Sequence, residues 1–166
     1  MNPATVRDAR PEDASEIARV AHASWTDTYR NIFEPAYIAD FLANAYATDA
    51  LAAAAELAAG RDDAHFLVAE RDGVLIAFAH FGPGPRGPEL YRIYAHPDAY
   101  GTGAGSALLA ELHRRIEGSI ESYVLDVHPD NARGRAFYDR NGFVIEGAGS
   151  TPECDLLLRR TLVPGA

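Results

Sequence analysis

Lysine is absent from this chain: all 15 of its basic residues are arginine. That excludes a P-loop, whose Gly-Lys-Ser/Thr signature places a lysine on the phosphates. It also excludes Schiff-base chemistry on a protein lysine. Cysteine is nearly absent too. Cys154 stands alone, so no internal disulfide can form, and it reads as a small buried residue of a late strand. Met1-Asn2-Pro3-Ala4 has no charged segment leading into an apolar one, so no signal peptide is expected. Together these point to a reducing, cytoplasmic setting. No apolar run approaches the ~20 residues of a membrane span, so no membrane partner is expected. The six histidines lack metal-ligand spacing, so no metal is expected. Positive charge is scarce as well, with a net charge of -9. A general nucleic-acid binder should be basic, so that role is disfavoured. Residues 1–80 hold 13 acids and 6 arginines (-7), and residues 81–166 hold 11 and 9 (-2). An acidic first half suits solubility and can also favour cationic substrates.

Apolar residues are plentiful, at 48%. A chain of 166 residues with that content can bury one core, so residues 1–166 read as a single domain. Thr5-Val6-Arg7 reads as a first strand. Pro11 suits the first turn of a helix whose start is lined with Glu12, Asp13 and Glu16. Ala14, Ile17, Ala18 and Ala21 carry helical spacing, and Trp25, Tyr29, Ile32 and Phe33 follow in a less regular region. Pro35 to Leu42 reads as a second helix. A third is capped by Thr48 and closed near Gly60. His65–Glu70 and Val74–Phe81 form a hairpin across Arg71-Asp72-Gly73. Gly82 to Pro88 reads as a loop, and Glu89 to Ala95 as a strand. A helix from Gly103 to Glu117 and a strand from Tyr123 to Val127 complete a parallel βαβ unit. A helix from Asn131 to Arg140 stops at Asn141-Gly142, and strands at Phe143–Glu146 and Cys154–Arg160 close the chain. The expected fold is mixed α/β: a mainly antiparallel sheet with a parallel βαβ core and flanking helices.

Gly101, Gly103 and Gly105 alternate between a strand and the start of a helix. Glycines let backbone approach a ligand closely, and the first N–H groups of a helix have no internal partner. Such a turn can hold an anion without any cationic side chain. Tyr100 and Ala104 add none, so backbone must carry the binding. A dinucleotide site would need G-x-G-x-x-G after the first strand, and position 106 is Ser.

Several ordered pieces resemble the GCN5-related N-acetyltransferases (GNAT). They are Leu90-Tyr91-Arg92-Ile93-Tyr94-Ala95-His96-Pro97, then Tyr100-Gly101-Thr102-Gly103-Ala104-Gly105, then Asn131-Ala132-Arg133-Gly134-Arg135-Ala136-Phe137-Tyr138 and Asn141-Gly142-Phe143. Arg7, Ala9, Glu12 and Asp13 match the family's opening, so the resemblance covers nearly the whole chain. Tyr100 departs from the family's Gln or Arg, and Gly134 from its common Ala.

The resemblance implies an acetyl-CoA-dependent N-acetyltransferase acting on a primary amine of a small molecule or peptide. It leaves open another acyl-CoA, or a CoA-binding module without catalysis. It places the CoA pyrophosphate on the backbone of Tyr100, Gly101, Thr102, Gly103, Ala104, Gly105 and Ser106. It places the pantetheine arm along Ile93, Tyr94 and Ala95, with Asn131 as a further cofactor contact. Tyr138 matches the general acid. Glu89 stands where a base is often found, and otherwise reads as a solvated strand-end carboxylate. Trp25 and Tyr29, with Phe33, fall on the acceptor side or pack the core; His80 and Asp126 serve structure or substrate contact. A homodimer is a family-level expectation.

Overall fold

The computed structural model describes residues 2–149 and 155–162. The chain opens with β1 (Thr5–Asp8), a short 3-10 turn at Pro11–Asp13, and α1 (Ala14–Tyr29). α1 is longer than its spacing suggested. Ile17, Ala21, Trp25 and Tyr29 recur every fourth residue and are all buried, so the aromatics extend the apolar face. α2 (Pro35–Ala45) and α3 (Thr48–Ala58) follow. Thr48 is the first residue of α3 and not its cap; Ala47 holds that position without a side-chain bond. Gly60 takes the left-handed conformation beyond the helix end, at φ 80°.

β2 (His65–Arg71) and β3 (Val74–Gly84) join through Asp72 and Gly73, both at positive φ, as the Asp-Gly pair requires. The expected loop at Gly82–Pro88 is a second hairpin: β3 runs on to Gly84 and β4 (Gly87–Ala95) begins three residues later. Pro83 pairs with Pro88 and Gly82 with Glu89. The two residues without an N–H face each other, so the missing donors fall on one pair of the ladder. α4 (Ala104–Ile116) and β5 (Ser122–Val127) come next. They are followed by α5 (Ala132–Arg140), β6 (Phe143–Ala148) and β7 (Leu156–Thr161). Cys154 lies outside the described residues.

One sheet results, ordered β1-β2-β3-β4-β5-β7-β6. Every neighbouring pair is antiparallel except β4 and β5, whose parallel contact pairs Glu89 with Val124. Alternation along the strands sends Leu67, Ala79 and Phe81 to one face, under Leu108, Leu112 and Ile116 of α4. Phe66, Val68 and Phe78 go to the other, under Ile17, Leu42 and Leu51 of α1, α2 and α3. The two cores lie on opposite faces of the sheet.

Candidate active site

The turn between β4 and α4 has the shape its glycines imply. Gly101 sits at φ 73° and Gly103, the N-cap of α4, at φ 89°; both are left-handed. The first helical bond inside α4 is Ala107 N–H to the Gly103 carbonyl at 2.9 Å. The N–H groups of Ala104, Gly105 and Ser106 precede it and point out of the helix without an internal acceptor. Gly105 is also needed for packing, since a Cβ there would lie 3.0 Å from the Phe137 ring. α5 is thereby seated against the start of α4.

A cleft opens over this turn. Of the residues proposed from sequence it is lined by Ile93, Tyr94, Ala95, Tyr100, Gly101, Gly103, Ala104, Gly105, Ser106, Asn131 and Tyr138. Thr102 is not part of the lining: Arg71 donates to its hydroxyl at 2.9 Å and to its carbonyl at 3.1 Å, tying the turn to the end of β2. Asn131 caps α5, its side-chain oxygen accepting from Gly134 N–H at 2.9 Å. A Cβ at Gly134 would lie 2.5 Å from the Asn131 side chain, so this glycine makes room for the cap.

Tyr138 projects from α5 into the cleft, half-buried, with its ring centroid 5.3 Å from that of Phe143. Burial pushes its phenol well above the ordinary tyrosine range, with the Tyr29 and Tyr46 hydroxyls adding to the rise. It therefore stays protonated at neutral pH.

The remaining proposed residues lie outside this lining. Trp25 and Tyr29 are 6% exposed and belong to the core under α1. Trp25 stacks on Phe41 at 4.1 Å between centroids. Burial raises the Tyr29 phenol, against smaller opposing effects of the Tyr94 and Asn131 side chains beside it. His80 lines a separate groove under α2, with Tyr46, Tyr91, Arg92 and Tyr94. It stacks on Phe66 at 4.3 Å, and its Nδ1 lies 3.2 Å from an Arg92 nitrogen. Burial, with the Arg92 charge second, lowers its pKa to about 3, so it is neutral at any ordinary pH.

Glu89 and Asp126 share one guanidinium. Arg86 donates to both Asp126 oxygens, at 3.0 and 3.1 Å, and to Glu89 at 3.1 Å. This ion cluster ties the β3–β4 hairpin to β5 and holds both carboxylates in place. No group of metal-ligating side chains occurs among the described residues. No described helix is long and apolar enough to cross a membrane.

Sequence reading missed Ser24, Thr28, Arg133 and Arg140, which also line the cleft. Ser24 and Thr28 stand one turn apart on the otherwise apolar face of α1, a legible signal. The arginines carry none, because most exposed arginines serve only solubility.

The chain has relatives of known family. The family model described as Acetyltransferase (GNAT) family matches residues 22–143. The Spermidine N(1)-acetyltransferase of Thermoplasma acidophilum is 31% identical over 143 residues, spanning 85% of this chain and 88% of that protein. The 5-NmdU N-acetyltransferase of Pseudomonas phage PaMx11 is 32% identical over 149 residues, spanning 86% and 88%. The crystal structure of PaiA N-acetyltransferase from Thermoplasma acidophilum in complex with coenzyme A aligns with a TM-score of 0.89. That alignment covers 98% of this chain and 100% of that one, at 28% identity. The chain belongs to the GNAT acetyltransferase family and is an acyltransferase.

Proposed function

We propose that this enzyme transfers an acetyl group from acetyl-CoA to a primary amine of a small molecule or peptide. The observation that carries this reading is the cleft itself. It joins free N–H groups at the start of α4, the edge of β4 and a protonated phenol in one space. The residues present fit a CoA group. The left-handed glycines leave the N–H groups of the α4 start exposed for a pyrophosphate. β4 is paired with β3 as far as Ala95, but with β5 only at Glu89. Backbone from Ile93 to Ala95 is then free on the β5 side to bond an extended arm, as an added strand would. The coenzyme A complex of the PaiA enzyme supports the donor class.

The thioester supplies the acetyl carbon. The amine nitrogen forms the new C–N bond, the C–S bond breaks, and the thiolate takes a proton. A β4 backbone N–H polarises the carbonyl. Tyr138 gives the thiolate its proton. A phenol is a weaker acid than a thiol in water, but a desolvated thiolate gains basicity as well. The amine gives up its proton through Glu89, reached directly or by water. The site otherwise works by holding the reactants together.

The test is release of free thiol from acetyl-CoA across polyamines, amino acids, aminoglycosides and N-terminal peptides, with mass spectrometry of the product. Polyamines head the panel because of the spermidine-named relative and the acidic first half of the chain. Turnover with one amine class, and a product heavier by one acetyl group, is expected. Binding of acetyl-CoA without turnover on any amine would point instead to a CoA-binding module.

A further inference from the structure

The glycine turn carries no cation of its own, because Tyr100 and Ala104 occupy its variable positions. The fold brings one from a distant element. Arg133, near the start of α5, lays its guanidinium over the Tyr100 ring, 4.0 Å from the centroid. Both side chains line the cleft. At that distance the electron-rich ring face holds the cation, and a guanidinium can stack on one plane while its N–H fork grips a phosphate edge.

Two further contacts fix the arrangement. Arg133 Nη1 donates to Asp27 of α1 at 2.9 Å, and Asp27 also accepts from Arg30. Two guanidinium groups on one carboxylate leave a net positive charge beside the cleft. The Tyr100 hydroxyl is buried and has no hydrogen-bond partner among the described residues. A buried hydroxyl without a partner is costly, and here it belongs to a cleft-lining side chain.

We propose that Arg133, stacked on Tyr100, supplies the cationic contact to the CoA phosphates that the turn itself lacks. Tyr100 is then a platform for that arginine, in place of a loop side chain that would reach the phosphates itself. The inference rests on reading the cleft as a CoA site.

Isothermal titration of the full chain with CoA, 3′-dephospho-CoA and pantetheine tests it. Arg133→Ala should weaken CoA binding about tenfold to a hundredfold, the range of a charge-assisted contact. Its affinity should also depend less on salt than that of the wild type. Tyr100→Leu should weaken CoA in the same direction. The double variant should lose less than the product of the two, because the side chains act as one unit. Arg133→Lys, which keeps the charge and loses the plane, should fall between wild type and Arg133→Ala. Matching melting curves of the ligand-free variants separate a binding defect from a folding one. A loss that persists with 3′-dephospho-CoA assigns the contact to the pyrophosphate, and a loss confined to CoA assigns it to the 3′-phosphate; both support the proposal. Unchanged affinity in Arg133→Ala overturns it, as does an equal loss for pantetheine, which has neither group. If the wild-type chain does not bind CoA, the cofactor reading falls too; if only Arg133 is silent, that reading stands.

Discussion

Tyr138 and His80 are both titratable side chains shifted by burial, and the direction of each shift decides what it can do. Burial raises the Tyr138 phenol, so the protonated donor persists through neutral pH and beyond. Tyr138→Phe should lower kcat about 10²- to 10⁴-fold, the usual contribution of a positioned acid. CoA affinity by titration calorimetry should be unchanged. No alkaline loss of wild-type kcat from this group is expected up to about pH 9, since the donor deprotonates only above the ordinary tyrosine value. His80 shifts the other way, to about 3. A neutral imidazole bonded to Arg92 cannot set a limb near the ordinary histidine pKa, so His80→Gln should leave the acid limb of kcat/KM in place. Glu89→Gln should instead lower kcat/KM while leaving CoA affinity unchanged, as loss of the proton acceptor requires. For stability the sign follows from proton uptake. Between about 3 and 6.5 the unfolded chain protonates His80 and the folded chain does not. Stability is therefore lost as pH falls through that window. His80→Gln should flatten the melting temperature against pH there; an unaltered slope would remove His80 from the explanation.

Among the elements, α5 shows why a helix can prefer glycine. On propensity alone, Gly134→Ala should stabilise a helix by about 0.5–1 kcal/mol. The added Cβ would meet the Asn131 side chain, which caps that helix through Gly134 N–H. Loss of a cap costs about 1 kcal/mol, so the two effects oppose each other. Gly134→Ala should therefore show no gain in urea unfolding, and CoA affinity should fall because Asn131 also lines the cleft. A clean gain of the full propensity increment would refute the cap argument. Gly105 is the companion case. A Cβ there presses on Phe137, so Gly105→Ala should lower stability by about 1–3 kcal/mol, the ordinary range for overpacking. The helices and the Asp-Gly hairpin were legible from spacing and turn chemistry. The Gly82–Pro88 segment was not: glycine and proline normally break strands, and only the cross-strand pairing of Pro83 with Pro88 shows how they are accommodated.

At the scale of the whole molecule, one topological feature shapes the site. Among the described strands β4 and β5 are the only parallel neighbours, and their pairing is confined to Glu89 and Val124. The strands part beyond that point, opening β4 toward the cleft between the start of α4 and α5. Hydrogen exchange offers a check. Amides between Tyr91 and Ala95 that face β5 should slow when CoA is added, while those bonded to β3 should be slow with or without it. Equal exchange in both states would mean that no ligand strand forms there.

The local sequence sufficed for what is local. The glycine turn, the βαβ order and the placement of Tyr138 on α5 follow from spacing and backbone preference. These depend on residues within a turn or two of one another. Only the tertiary structure decided which side chains share a space. It buried Trp25 and Tyr29 in the core. It locked His80 against Arg92 and joined Glu89 to Asp126 through Arg86. It also carried Arg133 from α5 to the ring of Tyr100. Contacts between residues far apart in the chain are set by how the sheet and helices stack, and no periodicity within one segment records them.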